Sequence, residues 1–229
     1  MRLDKFLSHS TDLSRKEVKQ YIKKGKVCVG ERVVTRPEQD VDHQTRVKLE
    51  GKLINYPSLR YLALNKPVGY VSATKDTRHQ TAIDLIDLPN KSTLHIAGRL
   101  DIDTTGLLLI TDDGQWAHRI MSPNHECAKT YHVQTRLPIS SLTKSKFQRG
   151  IYLEKENYRT KPAVLKVIEP HSAHLIIREG KFHQIKRMFH AVGNEVVALH
   201  RIAVGSIELG ELALGQYRTL EPHEIKAIV

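Results

Sequence analysis

Gly98-Arg99-Leu100-Asp101-Ile102-Asp103-Thr104-Thr105-Gly106-Leu107-Leu108-Leu109 places two carboxylates in a polar turn between two apolar runs. Leu94-His95-Ile96-Ala97 before it and Leu107-Leu108-Leu109-Ile110 after it have the composition of buried strands, so the turn is expected to stand on a rigid platform. Rigidity is what a reacting carboxylate needs. A turn with two Asp residues also fits a solvated connection or a helix cap, and the segment alone leaves that reading open.

The 229-residue chain carries a formal net charge of +11, with 27% charged and 40% hydrophobic residues. Such a balance describes a soluble protein with a core that is attracted to polyanions, nucleic acid first among them. No apolar stretch approaches the roughly 18 residues of a membrane span, and neither end carries a lipidation signal, so no membrane partner is expected. Charges within Met1-Arg2-Leu3-Asp4-Lys5 interrupt any signal-peptide core, which predicts a cytoplasmic protein. Cys28 and Cys127 stand alone, without a CxxC pair or a spaced His, and read as buried thiols rather than zinc ligands or a disulfide.

Charge is distributed unevenly. Residues 1–36 hold ten Lys or Arg against four acids, and the stretch from Gly51 to Arg60, broken by Gly51, Asn55, Pro57 and Ser58, reads as a linker. This predicts two domains, 1–56 and 57–229. In the first, Ser14-Arg15-Lys16-Glu17 fits a capping box and Gly25 a helix stop. Arg15, Lys16, Lys19 and Lys23 then share about 100° of helix arc, opposite Val18, Tyr21 and Ile22. Like charges so gathered repel one another, which favours a phosphate-binding face over a solvated surface helix. Val27-Cys28-Val29 and Arg32-Val33-Val34 around Gly30-Glu31 signal a two-residue hairpin.

From about residue 60, β-rich runs dominate: Tyr61 to Leu64, Leu107 to Thr111, Thr130 to Val133, Ala163 to Val167 and His174 to Ile177. Few helical segments intervene, so the class is α+β with a mixed, largely antiparallel sheet flanked by helices. One such segment runs from Phe182, with Lys186, His183, His190 and Arg187 on a cationic stripe and Phe182, Ile185, Met188, Phe189 and Val192 on a buried one. A basic surface helix is the plainer reading of it. Asp112-Asp113-Gly114 reads as a turn.

Five ordered segments together resemble the pseudouridine synthases, in particular the RsuA-type branch that modifies bacterial ribosomal RNA. They are Met1-Arg2-Leu3-Asp4-Lys5-Phe6, Leu64-Asn65-Lys66-Pro67-Val68-Gly69-Tyr70, Gly98 to Leu109, Lys129-Thr130-Tyr131, and Glu179-Gly180-Lys181-Phe182-His183-Gln184-Ile185-Lys186-Arg187-Met188. The extension Thr111 to Ile120 favours the small-subunit type over its large-subunit relatives. The resemblance implies a small N-terminal S4 (αL-like) RNA-binding domain followed by a synthase domain. It implies a uridine of 16S ribosomal RNA, or of a small-subunit assembly intermediate, as substrate, a monomeric enzyme and no cofactor.

By the same resemblance Asp101 is the catalytic carboxylate, Tyr131 the aromatic that stacks on the target base, and Lys186 the cation that holds Asp101 ionised. The family commonly uses Arg at that last position, so a point charge replaces a bidentate fork here, and Arg187 is the alternative. RNA-contact roles are expected for Arg2, Lys5, Arg15, Lys16, Lys19, Lys23, Lys66, Arg99, Lys181, His183 and Arg187, with Lys66 and Pro67 shaping the site wall. Without the resemblance, a strand Tyr is core packing as readily as a platform. Asp101 and Asp103 also permit a magnesium site, although no Gly-x-x-x-x-Gly-Lys-Ser/Thr loop or HExxH accompanies them, and no metal is expected. The rival classes are a noncatalytic RNA-binding or ribosome-assembly protein, a synthase acting on 23S RNA, and a carboxylate-based glycosidase, which lacks an acid/base pair at defined separation.

Overall fold

The computed structural model describes residues 1–42, 44–56 and 58–228, which divide into two compact units, Met1–Leu59 and Arg60–Val229. The division falls three residues beyond the expected boundary. Pro57, one of the residues read as linker, lies outside the described residues.

The N-terminal unit begins with α1 (Leu3–Ser10) and α2 (Arg15–Lys23). Ser14 and Glu17 form the expected capping box, each side chain bonding the other's backbone amide. Gly25 (φ +67°) closes α2 with Gly25 N donating to Ile22 O and Lys26 N to Tyr21 O, a Schellman pair that satisfies two of the last carbonyls. β1 (Val27–Val29) and β2 (Arg32–Val34) make the expected hairpin, with Val29 opposite Arg32.

The linker reading fails at Gly51. β3 (Val47–Leu49) and β4 (Lys52–Ile54) pair as a second hairpin, giving a sheet of order β2-β1-β3-β4. Its two-residue turn, Glu50-Gly51, has positive φ at both positions, the backbone that matches strand twist. Leu3, Phe6, Leu7, Val18, Ile22, Val27 and Val47 fill the core of this unit at 1% exposure or less.

The larger unit comprises β5 (Tyr61–Lys66), β6 (His95–Ala97), β7 (Thr105–Thr111), α3 (Gly114–Met121), β8 (Lys129–Thr135), α4 (Ser141–Gln148), β9 (Tyr152–Leu153), β10 (Tyr158–Arg159), β11 (Val164–Glu169), β12 (Ser172–Ile177), α5 (Gln184–His190), β13 (Val196–Val204), β14 (Ile207–Glu208), β15 (Tyr217–Thr219) and α6 (Pro222–Lys226). The main sheet runs β11-β12-β8-β13-β7-β5-β15, with β6 on β7 and β14 on β13. Among the described residues its only parallel pairing is β13 with β7, so the sheet is mixed and mostly antiparallel as expected.

Alternation along β7 sends Leu108 and Ile110 into one core with Tyr131, Val133, Leu175 and Phe189, and Leu107 and Leu109 into another with Trp116, Ile120 and Ile207. Asp112-Asp113-Gly114 is a helix start rather than a simple turn. Asp113 caps α3 by accepting from Gln115 N and Trp116 N, while Asp112 binds the guanidinium of Arg60 at 2.8 Å.

The basic helix α5 differs from its expected register. α5 starts at Gln184, because His183 adopts a left-handed conformation (φ 49°, ψ 30°) that ejects the residue before it. Phe182, expected on the buried stripe, is 66% exposed. Ile185, Met188 and Phe189 are buried as their spacing predicts. Cys28 and Cys127 are free and only partly buried, which corrects the buried-thiol reading; desolvation pushes the Cys127 thiol up.

Candidate active site

The Gly98–Thr104 turn is built in place by three neighbours. Gly106 (φ +102°) lets β7 approach β13 so closely that a Cβ there would meet the Arg201 carbonyl oxygen at 2.3 Å, which demands glycine. Arg201 then grips both ends of the turn: Nε donates to Leu107 O (2.7 Å) and Nη2 to Gly98 O (2.9 Å), while Nη1 stands 3.5 Å from Arg99 O. From the side, Ser72 Oγ donates to Leu100 O (2.7 Å), Leu100 N donates back to Ser72 Oγ (2.9 Å), and Gly69 N donates to Ile102 O (2.9 Å).

Lys66 supports that side loop from within. It is fully buried and donates to Pro67 O (2.9 Å) and Tyr70 O (2.8 Å), so it shapes the wall and does not reach RNA, which corrects one expectation. Burial pushes its ammonium down to about 8, although Asp103 and Asp101 oppose that shift.

A cleft of about 480 Å³ opens over the turn, lined by Asp101, Tyr131, Lys129, Lys186 and Arg201 among others. Asp101 is partly exposed in this lining. His183 Nε2 lies 3.6 Å from one carboxylate oxygen and Lys186 Nζ 3.9 Å from the other. Lys186 spends its short contacts elsewhere, donating to both oxygens of Asp103 at 2.6 and 2.7 Å. Burial raises the Asp103 carboxyl, but the hydrogen bonds and charge of Lys186 outweigh it and hold the group below its ordinary value. The structure therefore brings Lys186 to Asp101, as expected, through a carboxylate pair that shares it.

Tyr131 is only 8% exposed, and its ring centre lies 6.0 Å from the Arg201 guanidinium carbon. Arg99 and Lys181 are exposed at the cleft, with Lys181 Nζ 5.0 Å from the Tyr158 ring centre. Arg187 points to Glu156 (2.9 Å) rather than to either Asp, which removes it as the alternative partner of Asp101. Glu179, buried, accepts from Gln184 Nε2 (2.7 Å), Lys161 N (2.8 Å) and the Tyr158 hydroxyl, and so pins the entry to α5; that last bond is the first cause lifting the Tyr158 hydroxyl to about 12.

In the N-terminal unit, Arg2, Arg15 and Lys19 surround the fully buried Asp4 at 3.0, 3.0 and 3.8 Å and, like Lys5, Lys16 and Lys23, are exposed. Among the described residues no group of three or more His, Cys, Asp or Glu side chains has metal-binding geometry.

Sequence reasoning missed Arg201 and gave Lys129 no role. Arg201 sits at an inward strand position, two residues after Leu199 in Val196–Val204, and a cation on the core parity of an apolar strand was the available signal. Lys129, also buried, donates to Ile120 O at 3.1 Å. Thr104 is the other omission: it lines the cleft, is 2% exposed, and its hydroxyl has no hydrogen-bond partner among the described residues.

Residues 60–191 match the RNA pseudouridylate synthase family model, and residues 1–47 match the S4 domain. The chain is 46% identical to the ribosomal small subunit pseudouridine synthase A of Escherichia coli (strain K12) over 236 residues, covering all of both chains. It is likewise 46% identical to the protein of that name from Yersinia pestis, covering 100% of this chain and 98% of that one. A crystal structure of a pseudouridylate synthase superposes with a TM-score of 0.73 at 40% identity, with full coverage of both chains. Full-length identity at this level, on a fold that superposes from end to end, carries one conclusion: the chain belongs to the RNA pseudouridylate synthase family, isomerases, in its RsuA-type branch with an S4 domain preceding the synthase domain.

Proposed function

We propose that this protein isomerises a uridine of 16S ribosomal RNA to pseudouridine, with Asp101 as the single reacting carboxylate and no cofactor. The observation that carries the reading is Asp101 itself: it lines the cleft together with Tyr131, with the Lys186 ammonium and the His183 imidazole near and neither within 3.5 Å. Its oxygens remain available to a substrate.

In the reaction the N1–C1′ glycosidic bond breaks, the uracil turns while held, and C5 bonds to C1′. The C5 hydrogen leaves as a proton and N1 gains one, so atoms balance without a redox partner. Attack of the carboxylate on the sugar and elimination to a glycal both require an ionised Asp101, which the Lys186 ammonium favours by charge. A uridine inside an A-form helix hides its glycosidic bond, so the nucleotide must be extruded or come from a loop. Tyr131 then meets the base. Arg99, Lys181, His183 and Arg187 take RNA at the cleft, and Arg2, Lys5, Arg15, Lys16, Lys19 and Lys23 take backbone phosphate in the S4 domain. The protein works in this reading as a monomer, in the cytoplasm, on 16S RNA or a small-subunit assembly intermediate. No helix among the described residues is long and apolar enough to cross a membrane.

Release of tritium from 16S RNA labelled at uridine C5 tests the proposal directly, because C5–C1′ bonding displaces that hydrogen. Release from 16S and not from 23S RNA is the expected result. Preference for 23S would overturn the subunit assignment, and silence on every RNA and pre-ribosomal particle would leave a noncatalytic RNA-binding protein.

A further inference from the structure

The residue that departs most from its expected place lies at the rim of the cleft. Apolar spacing would bury Phe182 with Ile185 and Phe189, yet the ring is 66% exposed, and the turn that exposes it runs through His183 in a left-handed conformation. Both choices oppose folding. Burying a Phe side chain contributes about 1.5–3 kcal/mol, and a left-handed non-glycine residue costs roughly 1–3 kcal/mol. Strain and exposure together at a cleft rim point to a ligand rather than to packing.

The surroundings identify that ligand's chemistry. The Phe182 ring stacks on the His183 imidazole, with centroids 3.8 Å apart and planes 21° from parallel, and the Arg187 guanidinium carbon lies 5.2 Å from the ring centre. His183 reaches 3.6 Å from Asp101. A π surface that stays 66% exposed while a second ring stacks on it and one guanidinium stands over it matches an unpaired nucleobase with its phosphate. Tyr131, at 8% exposure inside the cleft, cannot offer such a face to the outside.

We propose that Phe182, braced by His183 and Arg187, is the stacking platform for the unpaired nucleobase adjacent to the reacting uridine. The inference rests on the RNA synthase reading and extends it by assigning a second aromatic contact, outside the reacting centre. It also links substrate to chemistry: a base seated on Phe182 extends the stack that ends, through His183, beside Asp101.

The test uses Phe182→Ala, Phe182→Leu and Phe182→Trp in the full chain, with a 16S RNA transcript as probe. Loss of one base–aromatic stack predicts about 5- to 150-fold weaker RNA binding for Phe182→Ala. Phe182→Leu, apolar but without a π face, should be similarly weak, while Phe182→Trp should bind as the parent does. The one native tryptophan, Trp116, is fully buried, so the introduced indole reports on the rim, and RNA should quench it with the same midpoint as binding. Parental affinity in Phe182→Ala overturns the proposal. So does Phe182→Leu binding as well as Phe182→Trp, or an indole that RNA does not quench. A lowered thermal midpoint in Phe182→Leu with unchanged affinity would make the ring a packing element and overturn it too. Tritium release by the parent protein tests the isomerase reading separately; if that fails on every RNA, affinity and quenching still decide the stacking.

Discussion

Asp4 and Asp101 are both carboxylates drawn toward cations, and they differ in how completely those cations engage them. Asp4 is fully buried in α1, and two guanidinium groups hydrogen-bond it while Lys19 stands 3.8 Å away. Burial alone would raise its carboxyl, but the bonds from Arg15 and Arg2 hold it below the ordinary value. Asp101 keeps 28% of its side chain exposed; the His183 imidazole stops at 3.6 Å, and the Lys186 ammonium stops at 3.9 Å while it binds Asp103 at 2.6 Å. A buried carboxylate held by three guanidinium hydrogen bonds is scaffold. One that has charge beside it and oxygens unspent is able to react, and the sharing of Lys186 is what separates the two cases.

The sharpest way to break the comparison is to neutralise each carboxylate. Asp101→Asn keeps size and polarity and removes the reacting charge, so turnover should fall about 10⁴-fold or more, as for other essential groups. RNA affinity should persist, and Asp103→Asn should lose far less. Single-turnover tritium release with parallel binding measurements checks this. Equal losses in the two variants, with magnesium dependence of the chemical step, would replace the single-carboxylate reading with a metal one.

Lys186→Met removes the shared cation. The saturated single-turnover rate should fall about 10²-fold, typical of deleting one electrostatic group. The acid limb of the pH–rate profile should move to higher pH, because a carboxylate without its cation is harder to ionise. Asp103, released from the bonds that depress it, should titrate at higher pH by carboxyl NMR. Arg187→Met, bound to Glu156 in the parent, should weaken RNA binding and spare the saturated rate. The reverse outcome for these two variants would exchange their assignments.

The smallest effect on chemistry belongs to Asp4. Asp4→Asn should leave saturated turnover intact and destabilise the N-terminal unit by about 1.5–3 kcal/mol, the range for hydrogen bonds to charged groups. Faster amide exchange across α1 and α2, with β7 unchanged, is the readout. The pH sign follows from the depressed carboxyl. Its stabilisation is present above the unfolded Asp value of about 3.9 and is lost as pH falls through the lower folded value. Parent and variant should therefore converge in strong acid and differ at neutral pH. A loss of turnover at saturating RNA would show that Asp4 does more than hold its cations.

Much of this architecture was legible where the signal is local. The Ser14–Glu17 box, the Gly25 stop and the Gly30-Glu31 hairpin each depend on a few adjacent residues, and the structure has all three. The Glu50-Gly51 hairpin was equally local but was masked by the Asn, Pro and Ser that follow, which drew the linker back by a strand. Phe182 defeated periodicity because one left-handed residue shifts a helix start, and spacing carries no record of it.

By itself, the sequence determined the α+β class, the basic N-terminal unit and the turn that presents Asp101, because composition, alternation and turn chemistry act over short spans. Tertiary structure decided which carboxylate Lys186 bonds, that Lys66 faces inward to carbonyls, and that Arg201 clamps Gly98 and Leu107 from a strand about a hundred residues away in the chain. The Lys186 and Arg201 outcomes depend on distances of a few tenths of an ångström between distant segments, and the Lys66 one on the strand that buries it. Coulomb energy and hydrogen bonding discriminate sharply at that scale, and residue spacing along the chain does not encode it.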